Sequence, residues 1–597
     1  MKKPNKENIS LLKKRMILFM FLFMLLSIFT DFVFAYKEKG TIGLLTVSET
    51  QNGTKGGVAS LSLNIKPGYG RIYIDSFPMS RLDTQITMRF ASELACDFLN
   101  IDCSNLDFFY TINADSSIVG GPSAGAAATV LTIAMLDNQE IDSKTIMTGT
   151  INSGYLIGPV AGISQKTLAA EKYGYKKALI PKWESFNETY ELNDTSLEII
   201  KVSNIYEALY VFTGKNYSSE KKEPIPKSSY VETMKSITIN ICSKYGSFRN
   251  NQLLMPDISY MDSENISLND SKKDYFKFAL ELINEEKYYS AASQCFGGNV
   301  YISKNYFKNI SNEILKKEYA TLLGEIALQE EILNKRKIRT ISDLETYMIV
   351  KERLEDAKDS LKKQNPDNIS SDVIAYVKER VSTAVYWSNF FDSEGKFVNL
   401  NNETLKIACN KKISEVEERL NYLGFYNLKS VDRSGLNKAY DYYYEDEYAL
   451  CIFAASKAKA EVDVILSALF LEENSLDEFL DEKLDAASMM ISGQIDSGVF
   501  PILGYSYYEY ANSLKEKDPY SAMLYAEYAL EMSNLDMYLG VKKQKIYINN
   551  FSIQFIFGFV LGVLFVLLIF LFIRLFNKSV KKKSMSNFNS RKIKSKK

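Results

Sequence analysis

Histidine is absent from all 597 residues. That excludes the Ser-His-Asp triad, the Cys-His dyad, histidine metal ligation and the imidazole proton shuttle together. Any acid–base chemistry must use Lys, Tyr, Cys or a carboxylate. Cysteine is sparse: Cys96, Cys103, Cys242, Cys295, Cys409 and Cys451, with no Cys-x-x-Cys spacing. An even count permits disulfides in an exported chain, and Cys96–Cys103 is the local pair, closing the end of a predicted helix. No Gly-x-x-x-x-Gly-Lys-Ser/Thr segment occurs, so a P-loop is missing. What is present suits folding: 46% apolar and 24% charged residues, in a length that calls for roughly two to four units.

The two ends differ in kind. Six basic residues precede an apolar run from Met16 to Phe29, and Val33-Phe34-Ala35 places small residues where a signal peptidase cuts; residues 1–35 read as a signal peptide. Phe555 to Ile573 is uncharged and rich in Phe, Leu, Ile and Val, long enough for a membrane helix within 551–574. Ten bases and no acid follow from Arg574 onward, which marks the tail, 575–597, as cytoplasmic and the rest as extracytoplasmic. Removing +4 for residues 1–35 and +10 for the tail from the chain's −1 leaves −15 for the remainder. So acidic a surface argues against nucleic acid as a partner.

Between the ends, residues 36–215 alternate strand and helix signals. Strands are predicted at Thr41–Val47, Leu61–Ile65, Arg71–Ile74, Phe108–Ile112, Thr145–Thr148 and Ala178–Ile180. Helices are predicted at Leu82–Leu99, Ser123–Leu136 and Gln165–Lys172. A polar stretch with two prolines, 216–229, reads as a linker. From 230 to 550 glycine is sparse and 3.6-residue periodicity dominates, as at Glu313–Lys335, Ile341–Lys363 and Glu447–Leu471. EEKYYSAASQC (285–295) and KEKDPYSAMLYAEYA (515–529) resemble degenerate tetratricopeptide-type hairpins, with Ala291 and Ala522 where paired helices approach. The expected fold is an α+β domain, an all-α helical-hairpin region, and one C-terminal transmembrane helix.

Chemistry concentrates in GGPSAGAAATVLTIAML, residues 120–136. Gly120 and Gly121 permit sharp turns and close approach; Pro122 suits a first helical turn. Ser123 then stands at a helix start, where free N–H groups and the positive dipole end stabilise a developing oxyanion. A plain N-capping serine fits the same segment. A serine nucleophile needs a base, and without histidine that base is most often lysine. Lys166, in GPVAGISQKTLAAEKYGYKKALIP (158–181), falls in the first turns of a predicted helix, with Ser164 placed to cap it. The dipole there disfavours a charged amine, as a base requires, although a solvated surface lysine fits the same spacing.

GGPSAG, MTGTINSGYLIGPVAGISQKTLAA and KKALIP, in this order, resemble the proteolytic domain of the Lon family. That family shows Gly-Pro-Ser-Ala-Gly, Met-Thr-Gly, a Pro-containing glycine loop and Lys-x-Leu-Ala-Ala, and works through a Ser-Lys dyad. The resemblance covers roughly residues 40–214. It implies Ser123 as nucleophile, Lys166 as general base, Thr148 as the hydroxyl orienting the lysine, and backbone N–H groups around Gly120, Gly121 and Ser123 as the oxyanion site. The order of signal, Lon-like domain, helical region and anchor is similar to membrane-anchored archaeal Lon-like proteases. Two positions depart from the pattern: Gly120 replaces an acidic residue usual in bacterial Lon, and Ala161 replaces a glycine. With the P-loop missing, the family's ATPase motor is missing from these residues too. The resemblance implies an ATP-independent serine endopeptidase acting on unfolded or flexible protein or peptide segments, with no cofactor and no metal. Rings are usual in Lon relatives, so a homo-oligomer is allowed. The competing reading is a non-catalytic surface scaffold that keeps the fold and binds proteins through its helices.

Overall fold

In this computed structural model the described residues are 39–539, apart from 51–52, 78, 115–120, 184–196, 218–221, 245–246, 250–251, 255–270, 472–474 and a few positions between 366 and 430, together with scattered residues between 562 and 574. β1 (Gly40–Thr50) and β2 (Gly53–Pro67) form an antiparallel hairpin, in register from Gly40↔Leu63 to Thr50↔Gly53. β3 (Ile72–Phe77) alternates half-buried and exposed side chains, as an edge strand with one wet face does. After it come α1 (Leu82–Phe98) and β4 (Leu106–Ala114), then a single 3₁₀ turn, Pro122–Ala124, leading into α2 (Gly125–Leu136). Every residue of α2 is buried, so this helix is apolar all round and runs through the core.

The domain continues through β5 (Thr145–Met147), the small hairpin β6 (Thr150–Ile151) and β7 (Ile157–Gly158), α3 (Ile163–Lys172), β8 (Lys177–Pro181), β9 (Glu198–Val202) and α4 (Ile205–Thr213). The main sheet runs β3-β4-β2-β1-β5-β8-β9. Its β4-β2-β1 section is antiparallel, and β3 and the strands beyond β1 pair in parallel. This is the mixed α and β architecture expected for the region.

Helices dominate from Ser228 onward. They are α5 (Ser228–Cys242), α6 (Ser271–Asn284), α7 (Tyr288–Lys308), α8 (Asn312–Asn334), α9 (Ile341–Lys362), α10 (Ser371–Trp387), α11 (Asn402–Gly424), α12 (Ser434–Tyr444), α13 (Tyr448–Phe470), α14 (Leu476–Asp496), α15 (Ile502–Leu514) and α16 (Pro519–Ser533). A short strand pair, Ser247–Arg249 with Gln252–Leu254, interrupts them. Ala291 and Ala522 are both fully buried in the hairpins α6–α7 and α15–α16, where a side chain beyond Cβ would hold the helices apart. A third hairpin, α12–α13, shares the turn of the first. Glu286 and Asp446 both take φ 60°, and the next N–H reaches back to Leu282 or Tyr442 at 2.9 Å, a Schellman closure.

All six cysteines are paired. Cys96–Cys103 closes the end of α1, Cys242–Cys295 ties α5 to α7, and Cys409–Cys451 ties α11 to α13. The chain divides into two compact units, Met1–Lys542 and Lys543–Lys597. Among the described residues of the first, the main apolar cluster draws on residues from Ile42 to Leu539, with smaller clusters beside it. The 216–229 stretch is held to it by Ser488 and Ser492, whose hydroxyls donate to the Lys222 carbonyl. Among the described residues no helix is long and apolar enough to cross a membrane. The span expected at 551–574 is therefore not supported here; like the signal and the basic tail, it lies wholly or largely outside the described residues.

Candidate active site

Gly120 lies outside the described residues. Gly121 takes φ 104°, a conformation that L side chains avoid, and turns the chain into Pro122–Ala124. Ser123 is the middle residue of that turn and is partly exposed. The sequence periodicity placed it inside one helix from 123 to 136; the α-helix instead begins at Gly125, with Ala124 at its N-cap and no side chain capping either element. Ser123 therefore precedes α2 rather than capping it. The first N–H groups of such a turn have no intrahelical partners. Gly125 is required for packing, because a Cβ there would come within 2.7 Å of Ile151 Cγ2 and 3.0 Å of Thr87 Cγ2.

Thr148 leaves the end of β5 and crosses the start of α2. Its N–H donates to the Leu179 carbonyl at 3.1 Å; the Gly149 N–H donates to the Ser123 carbonyl at 3.0 Å, and the Ala126 N–H to the Gly149 carbonyl at 3.1 Å. Met147-Thr148-Gly149 is thus laced to the serine turn through the backbone. The buried Thr148 side chain donates from Oγ1 to the Ser123 carbonyl at 3.4 Å and accepts from Lys166 Nζ at 2.9 Å.

Lys166 is the fourth residue of α3 and is only 3% exposed. The solvated-lysine alternative is thereby excluded. Gly162, at φ 72°, is the N-cap of α3, and Ser164 lies inside the helix rather than capping it. The Lys166 N–H donates to the Gly162 carbonyl at 3.0 Å. Sequence reasoning missed what presses this helix into place: Gly56 of β2 passes so close that a Cβ would lie 1.8 Å from the Gln165 carbonyl oxygen. The signal was the Gly56-Gly57 pair inside a strand pattern, which marks close backbone approach. Ser123, Thr148 and Lys166, spread over 43 residues of chain, are joined by these contacts, and Gly121 adjoins them.

Residues 112–213 match the Lon protease (S16) C-terminal proteolytic domain. The Lon protease of Phenylobacterium zucineum (strain HLK1) is 33% identical over 105 residues, which are 17% of this chain and 13% of that protein. The Lon protease of Buchnera aphidicola is 37% identical over 111 residues, 19% of this chain and 13% of that protein. The Lon protease of Mycoplasma mobile is 27% identical over 176 residues, 26% of this chain and 21% of that protein. The chain thus spans between 13% and 21% of the length of these relatives. The segment that carries Ser123, Thr148 and Lys166 is similar to the proteolytic domain of Lon proteases.

Proposed function

We propose that this protein is a serine-type endopeptidase in which Ser123 attacks the scissile carbonyl and neutral Lys166 takes the hydroxyl proton, later returning it to the leaving amine. Water then releases the acyl-enzyme. The observation that carries the reading is the buried Lys166–Thr148 hydrogen bond beside the Ser123 turn, inside a segment that matches a proteolytic domain. Thr148 orients the lysine, and the N–H groups of Gly121 and Ser123 hold the tetrahedral oxyanion.

The finer features belong to the same reading. Cleavage is independent of ATP, since the sequence carries no P-loop, and substrates are confined to unfolded or flexible protein and peptide segments. The active region lies outside the cytoplasm, supported by three disulfides. It is anchored by the apolar run Phe555–Ile573 with its basic flank, as in archaeal membrane-anchored Lon-like proteases. The test uses the full-length protein in detergent beside Ser123→Ala and Lys166→Ala. Each is incubated with an unfolded protein without ATP, and fragments are read by mass spectrometry. The parent should cleave and both variants should not. A folded parent that neither cleaves nor takes up a fluorophosphonate at Ser123 would leave the scaffold reading in its place.

A further inference from the structure

Several helices meet the sheet domain, and one of them, α11, contacts the segments on both sides of the site. Glu418 Oε1 accepts from Thr87 Oγ1 at 3.1 Å, and Thr87 is the residue whose methyl bounds Gly125. Arg419, 2% exposed, donates from Nη2 to the Ile151 carbonyl at 2.5 Å and to Asn152 Oδ1 at 2.6 Å. Its other nitrogens face carboxylates at ion-pair distance, Nε 3.0 Å from Asp463 Oδ1 and Nη1 3.5 Å from Glu418 Oε2, although Nε makes no hydrogen bond there. One turn further on, Tyr422 accepts from the Ala161 N–H at 3.2 Å and donates to the Pro159 carbonyl at 3.4 Å, while Tyr426 donates to its oxygen at 3.0 Å.

These contacts fall on either side of the Thr148–Lys166 bond. Ile151 lies two residues after Gly149, which is bonded to the Ser123 carbonyl. Ala161 immediately precedes Gly162, whose carbonyl receives the Lys166 N–H. We propose that α11 is a brace built into the site, with Arg419 and Tyr422 as positioning residues that fix the Thr148 and Lys166 segments relative to Ser123; this rests on the peptidase reading above. A planar guanidinium flanked by the Asp463 and Glu418 carboxylates directs Nη2 at two acceptors together, which an ammonium on a flexible stem does not. Displacing a catalytic group by even about 1 Å can lower turnover by about a hundredfold.

The experiment compares full-length parent, Tyr422→Phe, Arg419→Lys and, as a control, Tyr440→Phe, which loses a bond from α12 to Glu417 of α11 that does not reach the sheet domain. Turnover of a fluorescein-labelled unfolded protein, fluorophosphonate labelling of Ser123, the pH profile of kcat, and Tm are measured for each. Tyr422→Phe should lower kcat by about tenfold and Arg419→Lys by about a hundredfold, with KM unchanged and the acid limb of the kcat profile displaced. Tyr440→Phe should match the parent. If Arg419→Lys does not fold, Tyr422→Phe, which loses a single oxygen, decides alone. An active parent whose variants keep its kcat and pH profile, whatever their Tm, overturns the brace and leaves the peptidase reading standing. A parent that neither cleaves nor labels overturns both.

Discussion

Two kinds of buried lysine lie within one compact unit, and they differ in what faces the amine. In the sheet domain Lys166 meets a hydroxyl, Thr148 Oγ1, at 2.9 Å. In the helical region Lys412 and Lys459 straddle Glu531 at 2.6 and 2.7 Å and share Glu415 at 3.4 and 3.2 Å. Lys483 is paired with Glu527. Burial penalises an ammonium, and facing carboxylates can outweigh that penalty. Burial pulls Lys459 down, yet Glu531, Glu415 and Asp463 more than offset it and hold the amine above its ordinary range. Glu531 shows the reciprocal effect: burial pushes it up, but Lys412 and Lys459 bring it down to about 2. One environment pairs its lysines with buried carboxylates. The other sets a hydroxyl, Thr148 Oγ1, against its lysine.

Replacing a lysine by methionine on each side should separate the two roles most strongly. Lys459→Met leaves Glu531 and Glu415 short of a buried counter-charge, and should cost about 3–5 kcal/mol of stability, read by denaturant unfolding. Lys166→Met fills the same volume with an apolar side chain. It should unfold no more easily than the parent, while turnover falls by about a thousandfold. A Lys166→Met protein as destabilised as Lys459→Met would make Lys166 one more structural ion.

The next effect is read in acid. The folded pKa of Glu531 lies below its ordinary 4.5, so its contribution to stability is fully present above about 4.5 and drains away as pH falls toward about 2. Glu418, Asp463 and Glu527 run the other way, because burial raises them. The parent's net profile mixes both signs, and its difference from Glu531→Gln isolates one group. Glu531→Gln should be less stable at neutral pH and should lose stability less steeply between pH 4.5 and 2. Parallel profiles would mean that Glu531 is not held ionised by its two lysines.

The same division explains what could be read before the fold was seen. Ser123, Thr148 and Lys166 sit in three short motifs whose residue types and order carry chemistry, and the strands and helices around them follow from local periodicity. Helices α8, α9 and α13 begin and end within a residue or two of their periodic segments for the same reason. The hairpin β6–β7 was missed because two-residue strands have no period to detect. β9 and α4 were missed although Asn204 and Glu207 cap α4 in plain sequence view. Arg419 could not have been found at all. Its acceptors at Ile151 and Asn152 lie 268 and 267 residues away, and a buried arginine on a charged helix looks like any solvated one. The third hairpin escaped because Tyr448-Ala449 has no serine between them, although its turn matches that of the first.

The smallest test removes one hydroxyl from each environment. Thr148→Val keeps the branched shape but deletes the oxygen that accepts from Lys166 and donates to the Ser123 carbonyl. Ser153→Ala deletes a hydroxyl that donates to Glu531 at 2.6 Å and accepts from Lys459 at 3.1 Å. Each loses hydrogen bonding worth about 1 kcal/mol, and the comparison lies in where the loss is read. For Thr148→Val it should emerge as a fall in kcat of about fivefold to tenfold at unchanged KM, restored by Thr148→Ser. For Ser153→Ala it should emerge as a lower Tm with kcat intact. Equal losses of stability with no change in turnover would place Thr148 with the structural hydroxyls.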